Sequence, residues 1–414
     1  MAKIITPLDA HSLMNAIVQQ ATGQTSLASV DLSTFVSCGE TVLNTGIENT
    51  LNALTIVFGR TIVSARPYNA KIALIQETDT GLYKTRLRKI SFYDKGTKES
   101  GWVNTNSHTK NLYNGYDNGV NGGDSVGSQW EQDKPVCIEF HFGGMEVYDF
   151  EITFYEDALK QAFTSPEEFA NFWNGYLVAK QNEIESAKEA KNRSTLLNYI
   201  GGLYDMNMRV DLVAGFNTKF GTSYTGQQLR TTYLKEFLAY MVSEIKKYAK
   251  RFTERNTNYH WSPSITRDGV TYTDIVRHTP MVDQKLFLYD ELFIDAESMV
   301  LPEIFHDGLL KIENYEGVSY WQSNKDGARS SVSVTPAIPD VNDPKEQTAG
   351  TPVALDYVVG VLFDRDACVT CFEFDRTDTT ELEKRKLYRN TWIKTAFQSI
   401  NDFTEQGVLF YMST

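Results

Sequence analysis

One helix start signal constrains this chain more than any other feature. Ser165-Pro166-Glu167-Glu168 places a hydroxyl at an N-cap, a proline at the first helical position and a carboxylate three residues on, which is a capping box. Phe169, Phe172, Trp173, Tyr176 and Leu177 then recur at i, i+3, i+4, i+7 and i+8, so they share one apolar face. Lys180, Glu183, Lys188 and Lys191 form a charged face, and the apolar pattern resumes at Leu196, Leu197, Tyr199 and Ile200 before Gly201-Gly202 predicts a stop. A continuous helix over 165–200 is a rod of roughly 50 Å, longer than a small domain is wide. The rest of the chain must pack along it.

Before this rod, the first 60 or so residues are polar and weakly periodic, with Lys3 the only Lys or Arg before Arg60. They predict an extended arm with short helical pieces that needs another surface to lie on. Short β-rich runs follow at Thr61–Val63, Lys71–Ile75 and Lys89–Tyr93. In residues 104–128, Asn, Gly and Ser supply 14 of 25 positions, and Asn-Gly pairs at 114, 118 and 121 tolerate the positive φ of tight turns. This predicts a long projecting loop, with the chain returning through alternating strands at Val136–Phe142 and Met145–Tyr155. Together 66–156 form one extended hairpin on this reading.

After the rod, a second helix is expected from Thr225, with Leu229, Tyr233, Phe237, Leu238, Met241, Ile245 and Tyr248 inward. Its basic end, Lys246-Lys-Tyr-Ala-Lys-Arg251, suits the negative end of the helix dipole. Strands are expected at Lys285–Tyr289, Glu291–Ile294, Tyr357–Phe363 and Cys371–Phe374, with a Pro/Asp/Ser-rich loop over 322–352. A last long element covers Lys386–Ile400 and leads into Gly407–Met412. No internal repeat is present.

Composition narrows the function class. The 414 residues include 23 Phe, 22 Tyr and 6 Trp, which a disordered chain would lack. A net charge of −13 disfavours non-specific nucleic-acid binding, because that affinity comes from Lys and Arg displacing counterions from phosphates. The N-terminal Met-Ala-Lys-Ile-Ile-Thr-Pro lacks an apolar h-region, so no secretory signal is expected. No window reaches the ~18 apolar residues of a membrane span. Cys38, Cys137, Cys368 and Cys371 do not form a disulfide-scaffold pattern, and a lone CxxC on a strand, whose cysteines face opposite sides, does not hold one metal ion.

Catalytic motifs fail on context. Gly123-Asp-Ser125-Val-Gly127 matches a nucleophile elbow, yet it lacks the buried strand before it and the capped helix after it. Asp290, Glu291, Asp295 and Glu297 resemble the paired carboxylates of a glycoside hydrolase, but they alternate with Leu, Phe and Ile as solvent-facing strand residues would. The six histidines, at 11, 108, 141, 260, 278 and 306, show no metal-binding spacing, and no phosphate-binding P-loop occurs. Asp340, Asn342 and Asp343 lack the Gly and terminal Glu of a calcium loop. No catalytic residue, cofactor or metal is expected, and the chain does not read as an enzyme.

The order of parts, polar arm, projecting hairpin, long capped helix, mixed α/β region and return strands, resembles the Hong Kong 97-type capsid subunit of tailed bacteriophages. Phe154–Phe163, Lys250–Trp261, Val359–Ala367 and Phe403–Tyr411 also resemble segments of short-tailed phage major capsid proteins. The resemblance implies an α+β fold with an N-terminal arm (1–65), an extended loop (66–156), a peripheral domain with a spine helix (157–215), an axial domain (216–380) and C-terminal return strands (381–414). It implies a homo-oligomer of hexamers and pentamers that encloses double-stranded DNA, assembled in the bacterial host cytoplasm without a membrane. An arm with no long charged helix, and an initiating Met1, lead to the expectation of a separate scaffolding protein, together with a portal, and of no cleaved propeptide. Intersubunit contacts are expected at Trp102, Tyr113, Tyr116, Trp130, Lys95 and Lys98 of the extended loop. An encapsulin-type compartment is the nearest alternative, a glycan-active enzyme the next, and a trimeric tail or receptor-binding protein the third.

Overall fold

The computed structural model describes residues 7–23, 31–45, 70–77, 87–93, 135–142, 146–155, 163–267, 270–299, 314–340, 346–381 and 388–413. Seven helices are described: α1 (Pro7–Thr22), α2 (Leu32–Asn44), α3 (Pro166–Asp205), α4 (Leu212–Phe220), α5 (Gly226–Thr231), α6 (Leu234–Phe252) and α7 (Asp290–Met299). The first strands are β1 (Gln76–Glu77), β2 (Leu87–Phe92), β3 (Cys137–Phe142), β4 (Glu146–Tyr155), β5 (Arg209–Asp211), β6 (Ile265–Arg267), β7 (Val270–Tyr272), β8 (Gln284–Tyr289) and β9 (Asn314–Val318). They are followed by β10 (Val332–Val334), β11 (Ala337–Pro339), β12 (Gln347–Ala349), β13 (Val353–Leu355), β14 (Tyr357–Asp364), β15 (Cys368–Thr379), β16 (Tyr388–Asn401) and β17 (Gly407–Met412).

Helix α3 is the expected rod, and it is longer than its sequence pattern. Ser165 accepts the Glu168 amide through its hydroxyl, and the helix runs 40 residues, about 60 Å. Gly201-Gly202 does not end it. The pair lies inside the helix because neighbours come too close for a side chain: a Cβ on Gly202 would lie 2.2 Å from the Phe403 ring, and one on Gly201 2.6 Å from Val334. The helix stops instead past Asp205, where Asn207 adopts a positive φ of 60°.

Two mixed sheets flank this rod. The five-stranded sheet has the order β5-β17-β14-β8-β9, with β17, β14 and β8 antiparallel and both edge strands parallel to their neighbours. Every residue of β8 is buried, as are Val358, Val359, Val361, Leu362 and Phe363 of β14, the near-continuous apolar pattern of strands covered on both faces. Phe410 of β17 meets Tyr248 of α6 at 5.6 Å, while its neighbour Tyr411 meets Tyr204 of α3 at 5.4 Å. Successive strand residues face opposite ways, so α6 and α3 cover opposite faces of this sheet. Tyr199 of α3 stacks on Phe403 and meets Phe363 edge-on, both at 5.3 Å. Each large side chain buried here contributes about 1.5–3 kcal/mol.

The four-stranded sheet has the order β1-β15-β16-β4. Within 66–156 the described hairpin ladder is therefore confined to β2 and β3, paired from Leu87↔Phe142 to Phe92↔Cys137, whereas β4 pairs with β16 from Tyr388↔Tyr155 to Phe397↔Glu146.

Four local expectations are corrected. Residues 71–75 are not a strand but lead into a 3-10 turn at Ala73–Ile75, because their amides are taken up by carboxylates and not by a neighbouring strand. Glu291–Ile294 lies in helix α7, so the acidic residues there alternate along a helix and not a strand. The helix from Thr225 forms its capping box with Gln228 but breaks after Thr231, and α6 begins anew at Leu234. The arm is more helical than its weak periodicity implies: α1 and α2 pack on each other and on α3, with Phe35 between His11 (5.5 Å) and Phe169 (5.7 Å). Asp31 starts α2 by accepting the Thr34 amide, which holds its carboxyl down at about 2. The expected strand at Thr61–Val63 lies outside the described residues.

Candidate functional site

The best-defined polar constellation is the base of the β2–β3 hairpin. Alternation along β2 turns Lys89, Ser91 and Tyr93 to the body, and each finds a partner there. Lys89 Nζ donates to Asp402 Oδ2, Glu405 Oε1 and Thr404 Oγ1. Arg277 donates to Ser91 Oγ at 2.6 Å and to the Thr404 carbonyl at 3.0 Å, and lies 3.4 Å from Glu405. The Tyr93 hydroxyl donates to the Pro263 carbonyl at 2.5 Å, and burial pushes this phenol up to about 12. Charge-assisted bonds of this kind are the stronger class, and here they fix the hairpin to the 402–405 turn. On the opposite face of β2 two large apolar side chains are open: Ile90 is 46% and Phe92 58% exposed. Across the ladder stand Glu139, which bonds His141 at 2.6 Å, and Cys137.

A second constellation holds the segment that precedes β1. Ala70 and Lys71 donate their amides to Glu185 (3.0 Å) and Glu189 (3.3 Å) of α3. The amides of Ile72, Ala73 and Leu74 all donate to Glu316 of β9, at 2.6, 3.3 and 2.9 Å. Ile72 takes a φ of 58° to allow this, a conformation a β-branched residue adopts only under strong local constraint. Arg193 bridges Glu189 to the carbonyls of Tyr320 and Trp321, and Asn192 accepts from Thr370 of β15 at 2.7 Å. Sequence reasoning missed these residues. Glu185, Glu189 and Arg193 are spaced like a solvated helix face, and Glu316 carries no local signal at all.

The six residues expected at intersubunit contacts, Trp102, Tyr113, Tyr116, Trp130, Lys95 and Lys98, lie outside the described residues, as does the Gly123–Gly127 motif. Of the acidic group at 290–297, Asp290, Glu291 and Asp295 lie on helix α7, while the Glu297 side chain is outside the described ones. Burial raises Asp290 above the ordinary aspartate range, while Glu291 accepts from the Tyr289 hydroxyl at 2.7 Å and pairs with Arg329 at 3.4 Å. Cys368 and Cys371 are buried on β15, and burial drives the Cys368 thiol far up, away from reactivity. Among the described residues, no group of three or more His, Cys, Asp or Glu is placed to hold a metal ion, and no helix is long and apolar enough to cross a membrane.

No family model matches the chain, and no curated protein does. Solved structures do match. A chain in the capsid structure of Staphylococcus phage Andhra aligns over 84% of this chain and 85% of its own length, with 9% identity and a TM-score of 0.53. A chain in the structure of the head fiber and inner core protein gp22 of native bacteriophage P68 aligns over 83% and 85% at 10% identity and a TM-score of 0.47. One in the mature capsid of bacteriophage PhiM1 aligns over 84% and 88% at 9% identity and a TM-score of 0.42. With so few identical residues the likeness is one of backbone architecture, and through the Andhra match this chain has the α+β fold of a phage capsid chain, as its order of elements led one to expect.

Proposed function

We propose that this chain is the major subunit of a tailed-phage capsid, assembling through rings of identical copies into a closed shell around double-stranded DNA. The observation that carries this reading is the fold shared with a chain of the Andhra capsid over 84% of the residues. It is supported by a hairpin tied to the body through Lys89, Ser91 and Tyr93, with Ile90 and Phe92 exposed on its other face. Ring contacts between like subunits are heterologous, so they close into hexamers or pentamers where the rotation permits. On this reading 1–65 is an arm, 66–156 an extended loop, 157–215 a peripheral domain, 216–380 an axial domain and 381–414 the returning strands. Trp102, Tyr113, Tyr116, Trp130, Lys95 and Lys98 then lie in the loop that meets a neighbouring copy. A separate scaffolding protein and a portal complete the assembly, which takes place in the host cytoplasm.

Electron microscopy of the chain, expressed with and without the other structural proteins of its genome, tests the proposal. Closed icosahedral or prolate shells are the expected result. A homogeneous monomer or dimer under every condition would overturn it, and shells filled with a cargo protein in place of DNA would reassign it to a protein compartment.

A further inference from the structure

Behind the 402–405 turn lies a chain of four polar side chains, Thr279 and Gln406 buried between the part-exposed Asn256 and Asp364, whose hydrogen-bond directions can be assigned from one end. Asn256 Nδ2 donates to the carbonyls of Arg251 (3.1 Å) and Glu254 (2.7 Å), and Asn256 Oδ1 accepts the Asn258 amide at 2.9 Å. Turning this amide over would set an oxygen against two carbonyls and a nitrogen against an N–H, so its orientation is fixed. Asn256 Oδ1 therefore requires a donor from Gln406, which supplies Nε2 at 3.2 Å. That leaves Gln406 Oε1, in a residue with no solvent exposure, facing the Thr279 hydroxyl at 3.0 Å. The hydroxyl has one proton, and Gln406 Oε1 must take it. Yet the same Thr279 oxygen lies 2.8 Å from Asp364 Oδ2. One hydroxyl proton serves both acceptors only as a weaker three-centre bond, whereas a proton on the aspartate gives each contact its own donor.

We infer that Asp364 is a built-in proton site: its Oδ2–H donates to Thr279, and the proton completes a directional chain from β14 through the 402–406 turn to the end of α6. Asp364 Oδ1 accepts the Asp366 amide at 2.9 Å, the one role left for a neutral carboxyl's second oxygen. Of the charged groups around it, Asp366 in the same turn and Glu405 on the facing turn oppose a further negative charge. Arg365 pairs with Asp366 at 3.9 Å, and Glu405 is held by Lys89 and Arg277. Asp402, also bound to Lys89, and the buried Tyr199 complete the surroundings. Burial raises this carboxyl to about 6. Because the folded value is raised, the stabilisation is present below the ordinary aspartate range and is lost as pH rises through about 6. Loss of the proton leaves Gln406 Oε1 and Asp364 Oδ2 competing for the one Thr279 hydroxyl, beside the Glu405 that grips the hairpin.

The test compares the purified full-length chain with Asp364→Asn, whose amide supplies the same donor at every pH. Thermal midpoints are expected to fall for the wild type between about pH 5 and about pH 8, relative to a variant that lacks this step and matches or exceeds the wild type at the higher pH. A variant destabilised equally at both values would overturn the assignment. If the variant does not fold, infrared spectra of wild-type chain labelled with carbon-13 at the aspartate carboxyls decide the matter. A protonated-carboxyl band that titrates near 6 supports the site, and its absence at about pH 5 excludes it.

Discussion

Gly202 shows how one residue can be legible and misread at once. In sequence a Gly-Gly pair after an apolar stripe predicts a helix end, since glycine weakens helices by up to about 1 kcal/mol relative to alanine. In the fold that cost is accepted because the Phe403 ring lies where a Cβ would stand, 2.2 Å away. Helix propensity and packing therefore make opposite forecasts for Gly202→Ala. Packing is the larger effect: overfilling a tight core costs about 1–3 kcal/mol, and here the obstacle is an aromatic ring stacked on Tyr199. Gly202→Ala should lower the urea midpoint without changing the slope, while alanine at the exposed Gly175, where no described side chain crowds the position, should raise it. The sequence carries no trace of Phe403's approach, since the contact spans 200 residues and leaves no local period.

At the scale of elements, caps and periodicity carried most of the information. Ser165, Thr225 and the alternation of β2, β3 and β4 are local signals, and the structure uses each of them. What periodicity could not convey is the pairing of carboxylates with backbone. Glu316 satisfies three consecutive amides, and with Glu185 and Glu189 it turns residues 70–74 away from the strand expected over Lys71–Ile75. A carboxylate that accepts several amides is costly to remove because the donors stay behind unpaired. Glu316→Ala should cost about 2 kcal/mol or more and raise hydrogen exchange at 70–77 well before the five-stranded sheet opens. An unchanged exchange rate over 70–77 would show that water replaces the carboxylate. The same limit explains the misassigned α7: one acidic and three apolar residues, Glu291–Ile294, do not distinguish a short strand from a helical turn.

For the whole molecule, charge carries the clearest consequence. The chain has 53 acidic against 40 basic side chains, and one of its basic runs, at the end of α6, is partly engaged: Lys247 bonds Glu244 at 2.6 Å and Arg251 lies over the Tyr248 ring at 4.8 Å. Such a surface repels a polyanion instead of condensing it. Unassembled chain should leave linear double-stranded DNA unretarded in a gel at about 0.15 M salt, and salt-sensitive retention would contradict the reading of a container that does not grip its contents. The arrangement of sheets has a different kind of consequence, one of timing. Arg209 pairs with Leu409, Tyr155 with Tyr388 and Gln76 with Thr370, so neither sheet is complete until a late part of the chain has been made. During synthesis the early strands wait with open edges, and closure is a slow, long-range event. A ribosome-bound fragment ending before β16 would thus be a ready client for chaperones, and copies crowded on one messenger would be tempted to pair with each other before each can close on itself.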